Sequence, residues 1–173
     1  MNIVLIGMRG VGKTNIARRV CFLTKRPVMS TDVLIEYDSG LSIPDYVAQR
    51  GWPAFRDLEY DVIRKLTRLD GLVIDAGGGV VVDLDEHDQE VFSRRKVDLL
   101  RSGGRIVFLR GDVERLAGKV AGDPSRPLLD TRRSAAELMR ARLPFYDEAA
   151  DWTIDVEGRQ RADIAEEIAA RYG

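Results

Sequence analysis

Short apolar runs punctuate the chain, and amphipathic stretches fill the intervals between them. The runs are NIVLIG (2–7), PVMS (27–30), GLVIDA (71–76), RIVFLR (105–110) and WTIDV (152–156). Each has the length and the β-branched content of a strand. Most are apolar nearly throughout, as strands covered on both faces are. Helical spacing predicts helices over 13–25, with Ile16, Val20 and Leu23 on one face, and over 53–69, 134–150 and 161–173. Pro53 suits a first helical turn. Ser134 and Glu137 have the spacing of a capping box, and Pro144 should kink or break the helix they start. Strand–helix alternation along the whole length predicts an α/β three-layer fold with a mainly parallel, five-stranded sheet, in one domain over 1–173.

Two stretches break the alternation. DLDEHDQE (83–90) is acidic and reads as loop or ragged helix. GDPSRPLLDTRR (122–133) holds glycine, prolines and arginines between two helices, the composition of a mobile lid.

Composition narrows the function. The chain has 173 residues, 45 % of them hydrophobic, and a formal net charge of -1. That balance lacks the basic excess of a general nucleic-acid binder. No apolar run approaches the roughly 18 residues of a membrane span. The opening MNIVLIG has neither a basic n-region nor a small-residue cleavage site, which predicts a cytoplasmic chain. Cys21 is the sole cysteine, so an internal disulfide is excluded, and it reads as a small core residue. His87 is the sole histidine and reads as a surface residue among acids. Ser-His-Asp chemistry would have to use it.

GMRGVGKT (7–14) matches G-x-x-x-x-G-K-[ST] in full, between a buried-type strand and a helix. In that setting the backbone N–H groups of Gly10, Val11 and Gly12 cradle phosphate oxygens. The helix N-terminus adds partial positive charge. Lys13 reaches the terminal phosphates, and the Thr14 hydroxyl is a ligand for Mg²⁺. The Asn-Lys-x-Asp string of a GTPase does not occur, so ATP is the expected donor.

Candidates for the acceptor side follow the strands. Asp32 comes after strand two, at the sheet edge where open α/β folds bind ligands. It is placed to take a hydroxyl proton as general base, or simply to cap the helix beginning VLIEY. Arg56 has Glu59 one turn away as a partner. Gly77, Gly78 and Gly79 remove three side chains after strand three and let a ligand approach the backbone. Arg126, in the candidate lid, is able to stabilise a transferring phosphoryl group. Asp75 closes a hydrophobic run, as a Walker B acid does, or else caps the glycine turn.

STDVLIEYDSGLSIPDYVAQRGWPAFRDLE, DAGGGVV, RPLL and RARLPFYDEAAD, in this order after the phosphate loop, resemble the marks of shikimate kinases over nearly the whole chain. The resemblance implies ATP-dependent phosphorylation of the 3-hydroxyl of shikimate. It assigns Arg56, supported by Glu59, and Arg142 to the substrate carboxylate, the backbone at Gly78 and Gly79 to the ring hydroxyls, and Arg159 to the neighbourhood of adenine. The small-molecule acceptor suits a monomeric enzyme with no membrane or nucleic-acid partner.

Three positions depart from the family pattern. An Asp-x-Asp pair around strand two is reduced to Ser30 and Asp32, so one acid of the Mg²⁺ shell is missing, and Asp75 is a candidate replacement. Trp52 stands where Glu is frequent and either reshapes the acceptor pocket or acts as a hydrophobic staple for the next helix, the staple being preferred. Lys119 replaces an arginine expected to stack on adenine. The connection from Gly79 to Gly104 is also long; as a solvated loop it needs no role, though it lies where it could roof the substrate or meet a partner. Two alternatives stay open: another carboxylated polyol as acceptor, or a non-catalytic regulatory module of the same fold.

Overall fold

The computed structural model describes residues 1–121 and 133–173. The expected lid at 122–133, with Arg126, lies outside the described residues apart from Arg133. In chain order the described elements are β1 (Asn2–Ile6), α1 (Lys13–Thr24), β2 (Val28–Ser30), α2 (Thr31–Ser39), α3 (Ile43–Leu66), β3 (Val73–Asp75), β4 (Val82–Leu84), β5 (Glu90–Phe92), α4 (Arg94–Gly103), β6 (Gly104–Arg110), α5 (Val113–Val120), α6 (Ala135–Ala149), β7 (Trp152–Asp155) and α7 (Arg161–Tyr172).

The predicted strands all join one parallel sheet of order β2-β3-β1-β6-β7. β1 lies at its centre and is buried at every residue. Burying an aliphatic side chain of this kind stabilises the fold by about 1.5–3 kcal/mol, so the central strand is a large part of the core. Helices pack against the sheet as α1 with α7, α2 with α3, α3 with α4, and α5 with α6. Because the strands run parallel, the loops after β1, β2 and β3 leave from one edge. The phosphate loop, Asp32 and the glycine run are therefore neighbours in space.

Several elements differ from the sequence expectation. The acidic stretch 83–90 is the turn of an antiparallel hairpin, β4 on β5, with Leu84 opposite Glu90. Asp85 organises it: its Oδ1 accepts from the backbone N–H of His87 at 2.8 Å and of Gln89 at 2.9 Å. With three residues per strand, the hairpin has too little alternation to outweigh the acidic composition. α3 starts ten residues before Pro53, at Ile43, because Ser42 caps an additional segment; Gly51, at φ 83, separates it from the part that Pro53 opens. α6 is not broken at Pro144. Its two halves are held from outside, by burial of Leu138 and Met139 before the proline and of Tyr146 and Ala149 after it. Tyr146 stacks on Phe108 of β6 with ring centroids 5.0 Å apart. On α1, Ile16 and Val20 are buried as expected, but Leu23 is 44 % exposed and Ala17 takes its place in the core. Cys21 is half-buried rather than a core residue, and the His87 side chain is exposed.

The capping box forms as the sequence predicts. The Ser134 hydroxyl accepts from the Glu137 N–H, and the Glu137 carboxylate accepts from the Ser134 N–H at 2.7 Å. Ser134→Ala should lower stability by about 1 kcal/mol, read as a shift of the urea midpoint at unchanged slope.

Candidate active site

The phosphate loop connects β1 to α1. Gly12, the residue before the helix, sits at φ 104, a left-handed conformation that a side chain would strain. A Cβ there would also lie 2.7 Å from Nε of Arg161, the first residue of α7. The Lys13 ammonium donates to the carbonyls of Gly7 at 2.8 Å and Met8 at 3.0 Å. Lys119 donates to the Gly10 carbonyl at 3.0 Å. Arg159, by contrast, is paired with Glu167 at 2.5 Å along α7. Arg161, two residues on, is the arginine that reaches the loop. A basic residue at the start of α7 was the signal for it.

Thr14 and Asp75 meet directly: the hydroxyl donates to the carboxylate at 2.6 Å. Asp75 is also the strand-register partner of Ser30 across β2 and β3. An acid missing from one strand is thus matched by an acid on its neighbour, facing the same loop. Ser30 itself caps α2, its hydroxyl accepting from Val33 N–H. The capping alternative for Asp32 is therefore overturned: Ser30 is the cap and Asp32 belongs to the first turn. Among the described residues no group of three or more His, Cys, Asp or Glu is arranged to hold a metal, so a cation here must draw further ligands from bound phosphate and water.

Two pockets open at this edge. One is lined by Gly10, Gly12, Lys13, Thr14, Ser30 and Asp75 among others; the second by Trp52, Arg56, Gly79, Leu138, Arg142 and Tyr146 among others. Arg9, Asp32, Gly77 and Gly78 line both. The glycine run has a role beyond admitting a ligand. A Cβ on Gly77 would lie 2.5 Å from the Asp32 carboxylate, and one on Gly79 2.5 Å from the Arg56 guanidinium. The two functional side chains occupy the space that those glycines leave. Gly77 N–H also donates to the Thr31 hydroxyl at 2.9 Å, tying the run to the start of α2.

Arg56 and Glu59 form a buried pair, not a surface one. Arg56 Nη1 donates to Glu59 at 2.9 Å and to the Gly79 carbonyl at 3.2 Å. Lys96, on α4 and fully buried, donates to the same Glu59 oxygen at 2.6 Å and to the Val82 carbonyl. Burial works against the charge on Glu59, but the adjacent Lys96 and Arg56 outweigh it and hold the carboxyl below its usual range. Burial pushes Lys96 down to about 8, against the pull of Glu59. Arg56 Nε is buried with no hydrogen-bond partner among the described residues. An unsatisfied buried donor of this kind costs stability unless a ligand takes it up.

Arg142 and Tyr146, one turn apart on α6, converge on the Gly78 carbonyl, Arg142 Nη1 from 3.5 Å and the Tyr146 hydroxyl more closely. Burial raises the Tyr146 pKa, so the hydroxyl stays a donor. Trp52 lines the acceptor pocket, edge-on to Phe55 at 5.4 Å and 5.4 Å from the Arg56 guanidinium carbon. Trp52 thus packs on the helix that Pro53 opens and lines the pocket as well. Lys96 and Tyr146 were missed because an apolar helix face in sequence gives no sign that one polar member turns to a buried partner.

A model of the shikimate kinase family matches residues 9–172. The chain belongs to the shikimate kinase family. A relative from Leptospira biflexa, a shikimate kinase, is 43 % identical over 97 % of this chain and 93 % of its own length. One from Leptospira borgpetersenii is 37 % identical over 96 % of this chain and 95 % of its own. A solved shikimate kinase from Acinetobacter baumannii, in complex with shikimate, superimposes with a TM-score of 0.83 at 30 % identity, covering 96 % of this chain and 89 % of that one. Shikimate kinases use ATP and Mg²⁺.

Lys96 gives this family member a titration to look for. Its folded pKa lies below the ordinary 10.5, so the folded chain binds fewer protons between about pH 8 and 10.5 than the unfolded chain. Stability on account of this group therefore rises as pH climbs through that window. Between about pH 7.5 and about pH 9.5, wild type should gain roughly 1–2 kcal/mol relative to Lys96→Met, measured by urea denaturation of both proteins at the two pH values.

Proposed function

We propose that the chain transfers the γ-phosphoryl group of ATP to the 3-hydroxyl of shikimate, yielding shikimate 3-phosphate and ADP. The observation that carries this reading is the junction of the two pockets at Asp32, with Arg56 and Arg142 in the acceptor pocket and the phosphate loop in the other. The similarity to an enzyme solved in complex with shikimate supports the choice of acceptor.

The donor set suits Mg²⁺, since the Thr14 hydroxyl and the Asp75 carboxylate are both hard oxygen ligands. When bound, the ion neutralises phosphate charge as it develops. Asp75 takes over from the acid that Ser30 replaces. Gly10, Val11 and Gly12 turn their N–H groups to the phosphates, and Lys13 exchanges its loop carbonyls for terminal phosphate oxygens. Asp32 orients the acceptor hydroxyl and accepts its proton. Arg56 offers its unpartnered Nε to the acceptor carboxylate, with Glu59 fixing the opposite side of the guanidinium, and Arg142 provides the second contact. The Gly78 and Gly79 backbone borders the ring hydroxyls. The neutralisation of the transferring group falls to Arg126, which lies outside the described residues. Arg161, beside Gly12, contacts the nucleotide, a role that the resemblance gave to Arg159 near the adenine.

The reading assigns the chain to the cytoplasm, where the sequence expectation also put it. No helix among the described residues is long and apolar enough to cross a membrane.

ADP release from MgATP, followed in a coupled assay, should depend strongly on added shikimate. Release that ignores shikimate would send the search to other carboxylated polyols. Asp75→Asn should raise the Mg²⁺ concentration for half-maximal turnover by about tenfold and leave the shikimate KM near wild type. An unchanged Mg²⁺ dependence would remove Asp75 from the metal shell.

A further inference from the structure

We propose that Glu90, carried by the β4–β5 hairpin, is a positioning residue of the acceptor site. It holds Arg142 and sets the site's charge to suit a single carboxylate. The proposal rests on the shikimate kinase reading above.

Arg142 Nε donates to Glu90 Oε2 at 2.8 Å, and Nη2 donates to Oε1. This is a two-pronged carboxylate contact, the geometry that fixes the plane of a guanidinium as well as its place. The Glu90 side chain is only 6 % exposed, against 19 % for Arg142. Burial works against the Arg142 charge, but the Glu90 carboxylate outweighs it and raises the pKa. Arg142 lines the acceptor pocket, while Glu90 approaches the guanidinium edge formed by Nε and Nη2. The Nη1 side is left directed towards the Gly78 carbonyl.

The hairpin is built to deliver this carboxylate. Its base is held by Asp83, which accepts from Ser93 at 2.6 Å and from Arg95 at 2.8 Å. Phe92, two residues after Glu90, packs against Phe145 of α6 with centroids 6.0 Å apart. Glu90 thus reaches α6 from a second, fixed element.

The charge count follows from the same contacts. Around the Gly78 and Gly79 carbonyls, the described residues place three cations, Arg56, Arg142 and Lys96, against two carboxylates, Glu59 and Glu90; Arg9 and Asp32, which line the same pocket, add one charge of each sign. The surplus is one positive charge, which one carboxylate neutralises. Without Glu90 the surplus is two, and a dianion becomes the better match. Like charges brought together in a poorly solvated site are costly, so this count discriminates between ligands as well as attracting them.

The test compares wild type with Glu90→Gln, which keeps size and removes charge. In the shikimate-dependent assay the variant should raise the shikimate KM by about tenfold or more and leave the ATP KM within about twofold of wild type. Competition by benzoate and phthalate supplies a readout that a purely structural role would not move. The ratio of their inhibition constants should shift severalfold towards phthalate in Glu90→Gln and return towards wild type in Glu90→Asp, which restores the charge. A shikimate KM within about twofold of wild type, or lower, overturns the proposal; a lower value would make Glu90 a competitor for Arg142. A raised KM with an unmoved phthalate-to-benzoate ratio also overturns it, because Glu90 would then only brace the fold. If wild type itself shows no shikimate-dependent release, the functional reading fails and this inference fails with it, an outcome distinct from a defect confined to the variants.

Discussion

Glu59 accepts from Arg56 and from Lys96 at the same carboxylate oxygen, in a place closed to water. A buried carboxylate between two buried cations is stable only while all three remain. That requirement constrains much of the acceptor side. Lys96 must come from α4, Arg56 and Glu59 from α3, and the Gly79 carbonyl must be near enough to accept from both cations. The glycine run has no side chain at Gly79 because the Arg56 guanidinium fills that space. Arg56 is therefore held rigidly on one side, and its Nε remains unsatisfied on the other. Folding thus fixes the Arg56 guanidinium before any ligand arrives.

A second constraint comes from the parallel sheet. β1, β2 and β3 end at one edge, and the register across β2 and β3 sets Ser30 beside Asp75. A position on one strand can then be exchanged for its neighbour on the next with little movement of the oxygen it supplies. Thr14, at the start of α1, meets Asp75 at this edge. The departure at Ser30 and the acid at Asp75 belong to a single local arrangement. Ser30 also keeps a task of its own, as the cap of the helix that carries Asp32.

The shikimate kinase relatives place the chain in a family, while the physical contacts show how this member builds its site. Trp52 illustrates the difference. Its neighbours in sequence suggest a staple, and the ring does pack against Phe55 and Arg56 of the helix after Gly51, but at the wall of a pocket that the sequence does not show. The hairpin is a similar case. Its acidic turn reads as a solvated loop, yet the strand that follows brings Glu90 and Phe92 onto α6.

The strands of the main sheet, the phosphate loop and the order of the acceptor motifs were legible in the sequence, because each is a local pattern. A buried parallel strand is apolar along its length, and a glycine-rich turn between strand and helix carries its own φ requirements. Asp32, Arg56 and Arg142 were legible as candidates for the same reason. Glu59 was legible as the partner of Arg56 one turn away, but the remote partners were not. Glu90, Lys96 and Tyr146 lie 52, 37 and 68 positions in sequence from the groups they contact, and no local pattern encodes such a meeting. Arg159 and Arg161 are equivalent in composition, and only the start of α7 decides which one reaches the phosphate loop. The sequence by itself determined the alternation of strand and helix and the list of candidate site residues. The tertiary structure decided which charges share a buried site, because the strength of an ionic contact depends on distance and on exclusion of water, and both are set by packing between remote segments.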